Sequence, residues 1–230
     1  MTKELNQMTK NQQKSIAVLG LGKFGKSLAA ALYEMGADVL IADYREDVVR
    51  ECAAQATVAV TADLENEEEV NALGLKDMDV VVSAMGSNLA ASIMCVAVAK
   101  EQGVPLVIAK ARTQRVAAIL KKVGADRVID PEAESGRRSA RVLMSSSVVD
   151  FFEVDGNLEI MEIEPKEDWI GKNLVQLNLR KRFGTNVIAI KQEGEKWHYV
   201  DPSQELQEKC RLLVAVQNKD AHLFAHKFNT

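Results

Sequence analysis

Three glycines and an aspartate near the start of the chain have the spacing of a turn that binds a diphosphate. Gly20, Gly22 and Gly25 follow a short apolar run and open a stretch whose apolar residues recur at helical spacing. Gly20 allows a tight turn, Gly22 lets backbone N–H groups approach a pyrophosphate, and Gly25 lets the helix lie close to the strand. The phosphates would then lie at the positive end of the helix dipole.

The aspartate is Asp43, 18 residues beyond the last of these glycines and at the end of a second apolar run. Its carboxylate can accept hydrogen bonds from ribose hydroxyls and would repel a 2′-phosphate, so NADP is disfavoured. The alternative for this residue is a solvated carboxylate at a strand end. Lys23 and Phe24 lie within the glycine turn and are further candidate nucleotide contacts. The core-facing side of the helix is predicted to carry Phe24, Leu28, Leu32 and Met35.

Composition limits the class of protein. The chain has 230 residues, a net charge of −4 and 47% hydrophobic residues, so it is a globular protein without the basic surface expected for nucleic-acid binding. The cysteines, Cys52, Cys95 and Cys210, are far apart and are expected to be small core residues in a reducing compartment. Residues 1–14 lack the apolar stretch of a signal peptide, and no run is long enough to span a membrane. We expect a cytosolic protein.

The first half of the chain alternates short β-prone runs with helical patterns, which predicts βα units on a parallel sheet. Strands are predicted at 16–19, 39–43, 58–61, 80–83, 106–109 and 127–129, with helices near 23–35, 46–55, 65–72, 89–102 and 114–123. Six strands with five crossovers make an α/β fold with a complete Rossmann-like, doubly wound parallel sheet.

The pattern changes after Pro131. A charged helical stretch at 134–144 carries Arg137, Arg138 and Arg141, which either contact a phosphate or a partner or form a solvated helix face. Beyond it, strands are predicted at 148–155, 158–164, 186–192, 196–200 and 212–216, with a short helix at 175–182. We therefore predict a flexible N-terminus (1–14), a nucleotide-binding domain (15–133), a crossover helix or linker (134–147) and a smaller α/β domain (148–230).

The sequence has no recognisable acid–base pair for redox chemistry. Its histidines, His198, His222 and His226, all lie in the last quarter of the chain, and no tyrosine has a lysine four residues further on. Ser83 ends a predicted strand and Ser87 follows it, at the edge where ligands bind, but the simpler interpretation is a helix or turn cap. We therefore predict a nucleotide signal and no enzyme. The alternatives are a small NAD(H)-dependent oxidoreductase and an NAD(H)-responsive redox regulator.

An ordered set of short motifs resembles the RCK or KTN regulators of potassium channels, specifically the regulatory subunits of Ktr-type potassium uptake systems. The resemblance covers nearly the whole chain from Ser15 onward. In the first domain its markers are Gly20–Gly25, Asp43, Ala62-Asp63, Met85–Asn88, Ala109–Ala111, Leu120–Asp126 and Asp130–Glu132. In the second they are Gly171–Leu174, Leu179-Arg180 and Gly184–Ile190.

The resemblance implies a cytoplasmic ring of eight subunits, assembled from homodimers and attached peripherally to the inner face of the membrane through a potassium-translocating subunit. It implies neither membrane insertion nor nucleic-acid binding. ATP and ADP would compete for the glycine-turn site and change the shape of the ring, and so the gating. NAD(H) shares the diphosphate and the ribose, so the sequence leaves this ligand open.

Further site residues follow from the resemblance. Asp63 matches a position near the adenine and ribose, Asn88 and Lys110 match the pocket rim, and Glu132 matches an acid near the nucleotide where a divalent cation also binds. The alternatives are a helix N-cap for Asp63, an ordinary strand-end lysine for Lys110 and a helix-terminal acid for Glu132. Family members commonly carry arginine at the position of Lys23, and lysine keeps the charge but loses the bidentate fork.

The second domain resembles the family module that can bind cyclic di-AMP. Arg180 and Asn186 match its polar residues, and Leu174, Val175 and Pro202 match its apolar walls. Arginine suits a phosphodiester and asparagine can meet an adenine edge. The alternative is a surface arginine and a turn asparagine.

Overall fold

A computed structural model describes residues 13–143, 148–155 and 158–217 of the chain. These residues form two compact units, one ending at Ala133 and the other beginning at Glu134. Of the residues singled out in the sequence, His222, His226 and the N-terminal stretch 1–12 lie outside the described residues, and so does the side chain of Arg141.

The first unit is a parallel sheet with its helices in the crossovers. Its elements are β1 (Ser15–Leu19), α1 (Lys23–Glu34), β2 (Asp38–Asp43), α2 (Glu46–Cys52), β3 (Val58–Thr61), α3 (Glu67–Ala72), β4 (Val80–Ser83), α4 (Leu89–Glu101), β5 (Leu106–Lys110), α5 (Gln114–Val123) and β6 (Arg127–Ile129). The strand order is β3-β2-β1-β4-β5-β6, and every pair is parallel. This confirms the predicted Rossmann-like, doubly wound sheet.

The central strands β1, β2 and β4 are buried on both faces of the sheet. On β1, Ala17 and Leu19 belong to one apolar cluster, whereas Ile16 and Val18 belong to a second. A parallel strand covered on both faces is apolar along its whole length, which is why these strands appear in the sequence as continuous apolar runs. The strand order reverses at β1, between β2 and β4, so a crevice opens at the carboxyl ends of these strands.

Several predicted helix limits are wrong, for local reasons. The helix predicted from Glu65 begins at Glu67, because the side chain of Asn66 accepts the N–H groups of Glu68 and Glu69 and acts as the N-cap. The helix predicted at 46–55 is α-helical only to Cys52 and ends in a 3-10 turn.

The predicted core side of α1 is also wrong at one position. Phe24, Leu28 and Leu32 pack against a buried cluster. Met35 is 82% exposed, because the helix ends at Glu34 and Gly36, with φ of 84°, turns the chain away.

The second unit is an antiparallel sheet with short helices. Helix α6 (Pro131–Leu143) leads into it, followed by β7 (Val148–Asp155), β8 (Leu158–Ile163), α7 (Leu174–Leu177), α8 (Leu179–Phe183), β9 (Thr185–Lys191), β10 (His198–Tyr199) and β11 (Arg211–Gln217). The strand order is β10-β9-β11-β8-β7. Trp169, Leu177 and Leu206 lie in its core.

Two helix boundaries in this region differ from the prediction. Helix α6 begins three residues early, because Pro131 occupies its first position and Asp130 Oδ1 accepts the Ala133 N–H. The single helix predicted at 175–182 is divided at Asn178, whose φ of 48° is left-handed and ends α7.

The cysteines Cys52, Cys95 and Cys210 are free and buried, as expected. Burial raises the pKa of the Cys95 thiol to about 12. Among the described helices, none has both the length and the apolar character needed to cross a bilayer.

Candidate functional site

A cleft of about 890 Å³ opens at the carboxyl edge of the parallel sheet. Segments that follow all six strands of the sheet contribute to its walls, as expected at the carboxyl edge of a doubly wound fold. Nine of the ten predicted nucleotide-site residues line it: Gly20, Gly22, Lys23, Phe24, Asp43, Asp63, Asn88, Lys110 and Glu132. The tenth, Gly25, is buried behind the turn.

Each glycine of the turn has a separate steric reason. Gly20 has φ of 96°, and a Cβ on it would lie 2.4 Å from Met85 Cγ. A Cβ on Gly25 would lie 2.0 Å from the carbonyl oxygen of Gly20. At Gly22 a Cβ would meet no atom within 4 Å, so the space beside the start of α1 is open toward the cleft.

Asp43 is only 3% exposed and has its acceptor positions filled. Its Oδ2 accepts the Leu21 N–H at 2.7 Å and Arg45 Nη2 at 3.0 Å. Its Oδ1 accepts the Arg45 N–H at 3.0 Å and Arg45 Nε at 2.9 Å. Burial disfavours the charged carboxylate, but the hydrogen bonds from Arg45 and Leu21 outweigh it and hold the pKa of Asp43 below its usual value. The alternative of a solvated carboxylate is therefore wrong.

Lys110 places a charge inside the cleft wall. Its side chain is 6% exposed and pairs at 2.5 Å with Glu132, whose side chain is 57% exposed. Its Nζ also lies 5.5 Å from the centre of the Phe24 ring. The hydrogen bond from Lys110 lowers the pKa of Glu132. Lys110 is therefore a buried, paired residue of the cleft wall, and its part in a nucleotide site stays a prediction.

Polar residues form the rim of the cleft. Asn88 caps α4 by accepting the Ala91 N–H and donates to Glu65 at 2.7 Å. Asp63 accepts the Glu65 N–H at 3.0 Å and donates its own N–H to Glu69. Asp63 is not the N-cap of α3, so that alternative is wrong.

Lys23 is the first residue of α1, and its side chain is exposed beside the open face of Gly22. No ion pair to Lys23 is found within the described part of the chain. The first turn of α1 also carries no acidic residue. The positive end of this helix is therefore left uncompensated by its own sequence, which favours an anion there.

Sequence reasoning missed two arginines of this cleft, Arg45 and Arg112. A Cβ on Gly86 would lie 2.9 Å from Arg112 Nε, so the side chain of Arg112 lies across that glycine. Both arginines stand two residues beyond a charged strand-end residue, Asp43 in one case and Lys110 in the other. This position, two residues beyond a charged strand end, is the feature of the sequence from which both arginines could have been predicted.

Neither Ser83, the last residue of β4, nor Ser87 is the N-cap of α4. Ser83 is fully buried, and its hydroxyl has no hydrogen-bond partner among the described residues. Ser87 lines the cleft, while Asn88 provides the cap of α4. In the described ranges there is no group of three or more His, Cys, Asp or Glu residues that could hold a metal ion. A cation at Glu132 stays a prediction.

In the second unit, three of the five residues predicted to bind cyclic di-AMP lie next to one another. Val175 is 68% exposed, follows Leu174 on α7, and donates its N–H to the Pro202 carbonyl at 3.3 Å. Arg180 on α8 and Asn186 on β9 are exposed. The described contacts do not join them to the three apolar residues.

A larger cavity of about 1000 Å³ in the same unit involves none of these five residues. Its cations Lys191 and Arg211 both pair with Glu162, at 3.0 and 2.9 Å. The predicted second site and the main cavity of this unit are therefore different places.

The arginines of α6 behave differently from one another. Arg137 is exposed, which fits a solvated helix face. Arg138 donates Nε to Asp150 at 2.8 Å and pairs with the same carboxylate through Nη2. Arg138 is therefore an exposed residue of the helix face, as in the solvated alternative, and it also makes an ion pair within the second unit.

Comparison with known proteins agrees with this geometry. Residues 16–131 match the TrkA-N domain family, and residues 158–229 match the TrkA-C domain family. Ktr system potassium uptake protein A of Bacillus subtilis is 31% identical over 96% of this chain and 99% of its own length. Protein C of the same system is 37% identical over 80% of this chain and 83% of its own. The protein A of Vibrio alginolyticus is 36% identical, covering 92% and 96%.

Solved structures share the fold. The GsuK RCK domain superimposes with a TM-score of 0.65 at 14% identity, covering 96% of this chain and 49% of that one. The GsuK channel bound to NAD superimposes with a TM-score of 0.64 at 15% identity, covering 94% and 40%. With its two domain matches and its relatives above 30% identity over most of their length, this chain belongs to the family of regulatory subunits of Ktr-type potassium uptake systems.

Proposed function

We propose that this chain is a non-enzymatic, nucleotide-sensing subunit that gates a membrane potassium uptake channel. The observation that carries the proposal is the convergence on one cleft of the glycine turn, the buried carboxylate of Asp43 and the cations Lys23, Lys110 and Arg112. The turn fits a diphosphate, the carboxylate fits a ribose, and the cations suit further phosphate charge.

ATP and ADP are the proposed ligands, and they differ by one phosphate. A ligand shifts a conformational equilibrium only through different affinities for the two states. In this proposal the terminal phosphate of ATP reaches Lys23 of a neighbouring subunit, so that exchange of ATP for ADP changes a contact between subunits and thereby the shape of the ring. A divalent cation held by Glu132 would screen the added charge.

The proposed assembly is a homodimer that forms an octameric ring on a potassium-translocating membrane subunit. The ring is cytoplasmic and attached to the inner face of the membrane only through that partner. The relatives that match most of this chain are potassium uptake proteins, which supports a partner of this kind. Neither membrane insertion nor nucleic-acid binding is part of the proposal.

NAD(H) is the competing ligand. It carries the same diphosphate and ribose, and the structurally similar GsuK channel is known with NAD bound. An NAD(H)-dependent oxidoreductase or redox regulator would use the same glycine turn and the same aspartate. Binding measurements separate these alternatives from the gating subunit. Only the gating subunit must distinguish ATP from ADP, which differ in the terminal phosphate.

Cyclic di-AMP is the proposed ligand of the second unit. The neighbouring backbones of Val175 and Pro202, with Leu174 beside them, offer an apolar wall, and Arg180 is free to reach a phosphodiester. Replacing Arg180 by alanine should abolish cyclic di-AMP binding and leave the binding of ADP unchanged. Lys181→Ala, an exposed neighbouring cation on the same helix, is the matched control.

The deciding experiment is calorimetric titration of nucleotide-stripped protein with ATP, ADP, NADH and cyclic di-AMP, with light scattering to measure the assembly. We expect ATP and ADP to bind a species near eight subunits, and ATP to change potassium flux when the ring is added to vesicles that contain the membrane subunit. Binding of NADH alone to a dimer, together with NADH oxidation by a panel of carbonyl compounds, would overturn the proposal in favour of an enzyme.

A further inference from the structure

The carboxylate of Asp43, which is proposed to bind the ribose, already accepts hydrogen bonds from other groups of the chain. A carboxylate offers about four acceptor positions. At Asp43 two of these are taken by backbone N–H groups, those of Leu21 and Arg45, and two by the Nε and Nη2 atoms of the Arg45 side chain.

The two kinds of donor differ in how easily they leave. The backbone donors are fixed by the turn and the strand end. The Arg45 side chain is 40% exposed and lines the cleft. Its other contacts are a 3.3 Å hydrogen bond from Nη2 to the Leu21 carbonyl and the face of the Tyr44 ring. Rotation of this side chain frees two acceptor positions on Asp43, and the 2′- and 3′-hydroxyls of a ribose bring two donors.

We propose that Arg45 occupies the ribose-binding carboxylate of the empty site and leaves it when a nucleotide binds. This inference rests on the proposed function, since it requires a nucleotide in the cleft. Arg45 is then a specificity-determining residue. The hydrogen bonds from the ribose hydroxyls to Asp43 replace the ion pair between Arg45 and Asp43, so the two hydroxyls add little to the affinity of the protein for a nucleotide.

The exchange also gives the freed guanidinium a place in the bound state. Its carbon already lies 5.5 Å from the centre of the Tyr44 ring, which also lines the cleft, so this contact can persist when the bonds to Asp43 are released. A guanidinium released at this point can stack on an aromatic face, either that of Tyr44 or that of a bound adenine.

The test compares ADP with 2′,3′-dideoxy-ADP on wild-type protein and on Arg45→Ala by calorimetry. In the wild-type protein the two ligands should bind within about threefold of one another. In Arg45→Ala, ADP should bind about tenfold more tightly than to the wild type, the ratio expected for one hydrogen bond to a charged group. The dideoxy compound should bind both proteins equally, because it makes no bond to Asp43.

Arg50→Ala is the matched control, because Arg50 pairs with Glu46 on the outer face of α2 and does not line the cleft. If Arg45→Ala does not fold, Arg45→Gln removes the charge while keeping a donor and should give a smaller shift in the same direction. Weaker ADP binding by the arginine variants, or an equal change for both ligands, would overturn the inference. Failure of the wild-type protein to bind either ligand would instead remove the proposed function itself.

Discussion

The carbonyl oxygen of Gly20 lies 2.0 Å from the point that a Cβ on Gly25 would occupy. The first helical turn therefore packs directly on the backbone of the glycine turn, with no space for a methyl group. This contact, between two residues that are only five positions apart, holds the glycine turn in place without any ligand.

Replacing Gly25 by alanine should destabilise the first unit by about 3 kcal/mol and abolish nucleotide binding, because the added methyl group must push the turn or the helix aside. Thermal unfolding with and without ADP measures both effects. Gly22→Ala is the matched control, since a Cβ there meets no protein atom. It should fold normally and yet lose affinity for ADP. A harmless Gly22→Ala, next to an Asp43→Ala that no longer binds, would show that the pyrophosphate lies elsewhere.

Asp43 makes the free energy of unfolding of the protein fall at acid pH. Its pKa in the folded protein lies below the ordinary value of 3.8, so the folded state holds the charged form more strongly than the unfolded chain does. Its contribution to stability is thus complete above about pH 5 and is lost as pH falls below 3.8 through the folded pKa. Asp43→Asn should be less stable than wild type at pH 7, with the difference shrinking toward pH 3 in urea unfolding. A constant difference would contradict this assignment.

The ion pair between Lys110 and Glu132 predicts that the stability of the protein depends on bound ADP. Glu132→Gln leaves the buried ammonium of Lys110 without its partner and should cost about 1 kcal/mol, since the exposure of Glu132 screens the pair. A bound phosphate can replace the lost carboxylate, so ADP should raise the unfolding temperature more in this variant than in wild type. Glu51→Gln, which breaks the exposed pair with Lys26, is the control and should show the wild-type response.

Lys23 is predicted to decide how strongly ATP is preferred over ADP. Lys23→Ala should weaken ATP binding about tenfold and ADP binding much less, because the terminal phosphate loses its cation. Lys23→Arg should raise the preference for ATP by supplying two parallel donors. Competitive titration in the assembled ring is the measurement, with Lys121→Ala on α5 as the control. Equal losses for ATP and ADP in Lys23→Ala would place this lysine at the shared diphosphate instead.

Much of the first unit was predictable because its determinants are local. The spacing of the glycines, the apolar runs and the acid at the end of β2 each follow from the backbone geometry of one βαβ unit. Asp63, Asn88 and Lys110 were predicted from the family resemblance, and they line the cleft at the carboxyl edge of the sheet, where ligands bind in this fold.

Other parts of the site depend on contacts that no local pattern encodes. Asp43 accepts hydrogen bonds both from the side chain of Arg45 and from the backbone N–H of Leu21, which lies in the turn after a different strand, β1. The partner of Lys110 lies 22 residues away, on a helix whose early start depends on Asp130. In the second unit, the break at Asn178 requires a left-handed conformation that a helical pattern does not reveal. Contacts and backbone conformations of this kind are set by tertiary packing.

The tight packing of the glycine turn also determines how quickly the protein can respond. Because Gly20 and Gly25 already fix this loop, a nucleotide has no backbone to order on arrival, and association should proceed at the rate typical of a preformed pocket. The response time to a change in the ratio of ATP to ADP is then the residence time of the nucleotide that leaves. We expect a sensor whose speed is governed by dissociation.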